Sequence, residues 1–360
     1  MFNDLHYITA RSVMIGLAVT ALLIAGIGIG SQNLLDYDPA LVIYTLGTLI
    51  SAFVVTCRVT IFFHRAPTRR YLSRAFELLI SRNFFPNALL LAKAFANHFG
   101  TQRFIFNRGV VRWFGHFLIS WGTILSFGVT IPLVFGWVHF KMPIDEPNTY
   151  AIYSFGMQVG SFTLESLQSF LIFNALNISA VMVIIGVVTA LNRRLYTSGR
   201  SKTRQQFGHD LVPLIILLSV SATGLMLTYS THAMEGYGYA ELSLIHALTV
   251  MILMIYLPFG KLFHLFVRPL HLAVELHHTV DEKKSLAECH VCGEGFAGAM
   301  HVQDLKDVLE ETGLDWKMDE DGFHYSDVCP RCRRRLLGAS QALVINNGKV
   351  EEEWHAPAKA

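Results

Sequence analysis

Charge is what this chain has least of. Asp, Glu, Lys and Arg make up 16% of its 360 residues against 52% hydrophobic ones, and the mean hydropathy is +0.41. A soluble enzyme of this length does not have that balance, and a bilayer solvent explains it. The net charge of +2 is small and unevenly spread, basic between the apolar runs and acidic toward the C-terminus, so no nucleic-acid partner is implied. Cysteine is sparse too: of five, Cys57 lies alone in a hydrophobic run and the rest form two Cys-x-x-Cys pairs, a metal-site spacing that needs no disulfide. Internal repeats and low-complexity tracts are missing. So are a nucleotide-binding fingerprint, a nucleophile constellation and an iron–sulfur cysteine run. Without these the chain cannot by itself carry out a redox reaction on an aqueous substrate.

What is present instead is apolar length. Crossing ~30 Å of hydrocarbon takes roughly 20 apolar residues in a helix, and six such runs occur, approximately 13–30, 39–63, 111–138, 167–191, 211–229 and 242–267. Pro132, Gly136 and Pro258 lie inside them; membrane helices tolerate such residues, which are candidate kinks. The connection between the second and third runs carries Arg65, Arg69, Arg70, Arg74, Arg82 and further basic residues through Arg112, and that between the fourth and fifth carries Arg193, Arg194, Arg200, Lys202 and Arg204. The other three connections hold only Lys141. By the positive-inside rule both termini face the cytoplasm, and the regular alternation supports the count of six. The expected fold is an all-α membrane protein with six transmembrane helices, N-in and C-in. Residues 1–276 form its membrane domain and 277–360 a small cytoplasmic module.

The first run reads as an uncleaved span: it is long, its only early basic residue is Arg11, and no persuasive small-residue cleavage site follows. Within the connecting segment 64–110, residues 70–106 mix Phe and Leu with basic residues in the pattern of helices lying in the membrane surface. An interfacial anchor is the favoured reading there, over a specific docking platform.

Ionisable side chains inside spans are expensive and mark ligands, proton paths or paired networks. His116, His246 and His264 stand out. His246 and His264 share the sixth run and are eighteen residues apart, which in a continuous helix is five whole turns. Both rings then project from one face, separated by ~27 Å along the axis. His116 and His264 each lie a few residues inside the cytoplasmic end of a different span, the depth-matched arrangement that a haem with two axial imidazoles requires. Such low-spin haem suits one-electron transfer. The competing reading makes each histidine a polar core residue bonded to a neighbouring span. His246, nearer the outer side, has no obvious partner. His139, about 140° off the face of His116, and His232, in the loop after the fifth span, could ligate only if the backbone bends inward. Alternatively His246 serves a quinone, exchanging the proton that accompanies each electron.

The stretch LIHALTVMILMIYLPFGKLFHLFVRPLHLAVEL at 244–276, with RWFGHFLISWGTILSFGVT at 112–130 and HDLVPLIILLSVSATGLML at 209–227, resembles the cytochrome b (gamma) subunit of respiratory nitrate reductase and related membrane subunits of heterodisulfide-reductase-like complexes. The resemblance covers 111–276 and leaves out the first span and the tail. It implies a b-type cytochrome of a prokaryotic inner (cytoplasmic) membrane, exchanging electrons between quinone or quinol and a cytoplasmic iron–sulfur subunit of an oxidoreductase complex. It also implies that His116 and His264 hold the haem nearer the cytoplasm and that His246 is one ligand of an outer haem. Here the sequence departs from the family, which has a second histidine ten residues after the first; this chain has Ser126 there. One haem b is expected, with a second left open: absent, five-coordinate, or completed by His139 or His232.

After the last run, Cys289-x-x-Cys292 and Cys329-x-x-Cys332 are separated by 36 residues. Two such knuckles supply four thiolates to a tetrahedral metal in a zinc-ribbon-like module, with zinc the commonest occupant. Cys-x-x-Cys-Gly and Cys-Pro-x-Cys are similar to rubredoxin knuckles, making iron the alternative, although Arg333 stands where rubredoxin has glycine and a helix is expected near 302–311. His290, His301 and His324 are spare ligands read as surface residues. Arg333 to Arg335 either contact acidic protein or lipid headgroups or form a solvated face. The leading functional reading is the quinone-reactive electron-transfer subunit of a respiratory complex. Its rival is a non-redox membrane anchor whose zinc module recruits cytoplasmic partners.

Overall fold

A computed structural model describes residues 2–196, 206–314, 316–317 and 324–345. Arg200, Lys202 and Arg204, which the sequence places in a basic connection, lie outside the described residues. Among the described residues, six helical stretches are long and apolar enough to cross a membrane: Tyr7–Gly30, Pro39–His64, Val110–Val134, Leu167–Tyr196, Phe207–Ala233 and Tyr239–Phe259. The chain is that of a multi-pass membrane protein, predominantly helical, as hydropathy implies.

The chain divides into two compact units, each built from two separate stretches: Met1–Ile61 with Asn97–Val267, and Phe62–Ala96 with Arg268–Ala360. This differs from a simple boundary after residue 276. The reason is local: α3 (Ala66–Ile80) and α4 (Phe84–Phe95), expected between two spans, pack against α11 (Leu270–Asp281). Ala75 and Leu78 of α3 meet Ala273 and Leu276 of α11 in one apolar cluster.

In the first unit, α1 (Phe2–Gly30), α2 (Val42–His64), the short α5 (Arg103–Phe106), α6 (Val110–Val134), α7 (Leu167–Tyr196), α8 (Val212–Ala233) and α9 (Tyr239–Phe259) follow one another. Val183 and Val187 of α7 form a core with Leu214 and Leu217 of α8 and Leu253 and Met254 of α9. The connection from α6 to α7, expected only as a loop poor in charge, is an antiparallel sheet of β1 (Val138–Lys141), β2 (Thr149–Ser154) and β3 (Met157–Thr163) in the order β1-β2-β3. Phe140, Tyr150 and Phe162 of the sheet close on Phe173 of α7.

The sixth span is where sequence and structure part. Apolar length predicts a single helix over 242–267, and α9 stops at Phe259. Pro258 lacks a backbone N–H and Gly260 adopts an extended conformation (φ −90°, ψ −170°), which together end the helix. A 3-10 turn, Lys261–Phe263, and the one-turn α10 (His264–Val267) follow. Counting His246 to His264 as five turns of one helix therefore fails at Gly260, and with it the common face and the ~27 Å axial spacing.

In the second unit, α3, α4 and α11 are joined by β4 (Leu286–Glu288), paired antiparallel with β5 (Gly295–Gly298), and by α12 (Ala299–Glu311) and α13 (Pro330–Ile345). The helix expected near 302–311 is α12. The basic residues of α3, which in sequence read as facing a membrane surface, make intramolecular ion pairs. Arg70 and Arg74 both reach Asp304, Arg70 also pairs with Asp307, and Arg69 with Glu311, all three acids on α12.

Candidate cofactor cavity and metal centre

α6 and α7 touch through small residues. A Cβ at Gly186 would lie 2.7 Å from the Gly115 carbonyl oxygen, and one at Gly122 would lie 2.9 Å from that of Ser179. The pairs recur seven residues apart on both helices, so the backbones meet along two turns in the small-residue packing typical of membrane helices. His116 follows Gly115 and so points about 100° away from that seam. It lines a cavity of ≈ 430 Å³ whose wall is otherwise almost entirely apolar, with Val55, Ile119, Phe127, Leu253 and Leu257. His264, beyond the break in the sixth span, lines the same cavity. Two exposed histidines from different elements thus share one cavity of a size suited to a small organic cofactor.

Each ring is oriented by an oxygen. His116 Nδ1 lies 2.8 Å from Gln102 Oε1, and His264 Nδ1 lies 2.6 Å from the Lys261 carbonyl oxygen. A proton donated from Nδ1 leaves the lone pair on Nε2, the form in which imidazole ligates a metal. Gln102 escapes sequence reasoning. It is 3% exposed and holds a left-handed backbone (φ 53°), a conformation that costs energy for a residue with a side chain. Its only sequence signal is a glutamine beside the basic segment, fourteen residues before the histidine it orients.

The Thr123 hydroxyl oxygen, two turns beyond His116, is buried and makes no hydrogen bond among the described residues. Such a group costs about 1–3 kcal/mol when left unpaired. Thr123 lines both the first cavity and a second one of ≈ 360 Å³. Two imidazoles and one orphaned hydroxyl are thus offered to an almost entirely apolar space.

The second cavity contains His246, with Ser126, Tyr44, Asn177 and Thr228 around it. His246 Nδ1 is 2.9 Å from the Thr223 hydroxyl, and Ser126, ten residues after His116, is hydrogen-bonded at 2.8 Å to Ser179. Neither histidine considered as a partner for His246 lines this cavity. His139 sits in β1, stacked on Tyr153 and 3.5 Å from Asp36. Its burial, only partly offset by Asp36, holds its pKa below the usual imidazole value. His232 is exposed in the last turn of α8. Arg58, a charge inside the second span with no place among the sequence expectations, donates to the Pro258 carbonyl and lies 4.4 Å from the centre of the Phe263 ring. It thereby occupies the carbonyl at the break in the sixth span.

In the second unit the four cysteines converge, each offering a sulfur within 4.8 Å of the others. Cys292 Sγ and Cys329 Sγ are 3.9 Å apart, close to the ~3.8 Å edge of a tetrahedron with metal–sulfur bonds of ~2.3 Å. Cys289 follows β4, while Cys329 precedes α13 and Cys332 lies in its first turn. Cys289 Sγ accepts the Cys329 backbone N–H at 3.2 Å. Burial tends to raise the Cys289 thiol pKa, but backbone donors from Cys329, Cys292 and Val291 outweigh it and bring it down to about 6. Four sulfurs so placed can bind a metal such as zinc or iron.

Of the three spare histidines, only His290 is an exposed surface residue. His324 is buried, its Nδ1 accepting the Ser326 backbone N–H, and His301 is half-buried. Arg333 turns inward, bonding the Val328 carbonyl at 2.6 Å and lying over Tyr325, whereas Arg334 and Arg335 are exposed. No family model, curated protein or solved structure matches the chain.

Proposed function

We propose that the chain is a haem b-binding membrane subunit that transfers electrons between membrane quinone and a cytoplasmic iron–sulfur partner. The observation that supports this reading above all is the shared cavity: His116 and His264, singled out by sequence, line one apolar space, each with Nδ1 bonded to an oxygen. The likeness of 112–130 and 244–276 to the nitrate reductase cytochrome b subunit supports it independently. A haem held there by His116 and His264 would supply reversible one-electron transfer. Gln102 and the Lys261 carbonyl fix the two imidazole tautomers, and the aliphatic wall keeps water and its dielectric away.

The second cavity is assigned to quinone. One histidine lines it, which suits a proton-exchanging side chain better than a second haem. His246 is held by Thr223, and Thr228 and Asn177 on the same wall are hydrogen-bonded to each other at 2.8 Å. The four-cysteine centre is assigned to structural zinc in a ribbon-like module, with redox iron as the alternative.

Reduced-minus-oxidised visible spectra of the purified protein test the reading. The expected result is a b-type alpha band at one haem per chain by pyridine haemochrome, lost in His116→Ala and in His264→Ala. Protein produced with haem in excess that shows no such band, together with unaltered folding of both variants, overturns it and leaves the anchor reading standing.

A further inference from the structure

The second unit gathers three histidines that neither the haem nor the four-cysteine centre uses. His277 and His278 are adjacent in the last turns of α11, and His301 lies in the first turn of α12. The two helices are clamped there by Asp281, whose carboxylate accepts the backbone N–H groups of Met300 at 3.0 Å and His301 at 2.8 Å. The clamp closes because residue 298 is glycine: a Cβ there would lie 1.9 Å from Asp281 Oδ2. Asp281 is 1% exposed, so the N-terminus of α12 is bound to α11 by a buried carboxylate.

One ring nitrogen from each of His277, His278 and His301 lies within 4.8 Å of the others. His277 is 0% exposed. Its Nε2 is 2.9 Å from Asp304 Oδ2, while its Nδ1 is buried and makes no hydrogen bond among the described residues. A fully buried imidazole with one nitrogen on a carboxylate and the other unpartnered has the arrangement of a metal-binding histidine, in which the carboxylate fixes the tautomer and raises ligand basicity. Asp304 is itself held in place by Arg70 and Arg74, at 2.7 Å and 2.9 Å. Left as it is, the buried Nδ1 costs about 1–3 kcal/mol.

We propose that His277, His278 and His301 form a second metal site, separate from the four-cysteine centre, for a divalent first-row transition ion of the zinc type. Imidazole nitrogens are the donors such ions take. Three protein ligands leave a coordination position for water or an incoming group, whereas four thiolates fill a tetrahedron. The two centres therefore differ in kind, one closed and one open. The proposal does not depend on haem.

Cobalt(II) titration of the full-length protein in detergent, stripped of zinc under reducing conditions, tests it. The expected result is two equivalents per chain: one with intense thiolate-to-cobalt charge-transfer absorption, one with weak visible bands and no charge transfer. The variant His278→Asn/His301→Asn, which changes only half-buried residues, is expected to lose one equivalent and keep the charge-transfer bands. Cys289→Ser/Cys292→Ser is expected to lose those bands. A single equivalent in the wild-type protein, wholly thiolate in spectrum, overturns the proposal whether or not the variants fold. So does a His278→Asn/His301→Asn titration that superimposes on that of the wild type.

Discussion

The two units solve the placing of functional groups in opposite ways. In the first, polar atoms are few and the candidate site is a void: an apolar space with two histidines on its wall, each oriented by a single oxygen. In the second, the candidate sites are crowded with ligands and charges, and the apolar core is thin. The cluster around Cys289, Cys329 and Cys332 adds only Val328 as a further buried member. The difference follows from the solvent each stretch was selected for. Helices in lipid hold together by close backbone packing and bind by leaving space. The second unit has a small apolar cluster around Leu78 and Leu276 and adds to it ion pairs and a four-cysteine group able to bind a metal.

Metal removal should break the comparison most sharply. Apparent metal-binding energies of structural zinc sites are ~10–16 kcal/mol, so Cys329→Ser is expected to abolish the resistance of the second unit to limited proteolysis. The helical circular dichroism of the spans should change little; parallel loss of both signals would show that the units are not energetically distinct. Next in size, Gln102→Leu is expected to weaken haem retention by about 10–100-fold, read by haem titration of the apoprotein, while His116 remains in place. Gly186→Ala should destabilise the first unit by about 1–3 kcal/mol through overpacking against the Gly115 carbonyl, seen as a lower melting temperature in detergent without loss of zinc. Smallest, Asp281→Asn is expected to cost about 1 kcal/mol at the N-terminus of α12. Chemical denaturation of the second unit would register it, and the haem spectrum would not move.

Hydropathy alone makes the six spans legible, because apolar runs near twenty residues long are rare in chains that fold in water. The end of the sixth is not legible, since Pro258 and Gly260 lie in a run that stays apolar on both sides, and helix termination there is joined by Arg58 reaching across from another span. His116 and His264 can be paired from sequence by depth, and they line one cavity although the continuous helix used to relate His264 to His246 is broken. The three-stranded sheet escapes notice when its segment is read only for charge. His277 and His278 are hidden because they follow the last apolar run. His301 looks like a surface residue because nothing in its neighbourhood reveals that Asp281 draws it against α11.

Arg74 and Asp304 are partners across 230 residues of chain. At synthesis rates of ~5–20 residues per second, α3 leaves the ribosome on the order of ten to fifty seconds before the acid that neutralises it. Throughout that interval its arginines lack that partner while four further apolar helices are made. The ion pairs that tie α3 to α12 in the second unit can therefore close only after the last span has been made.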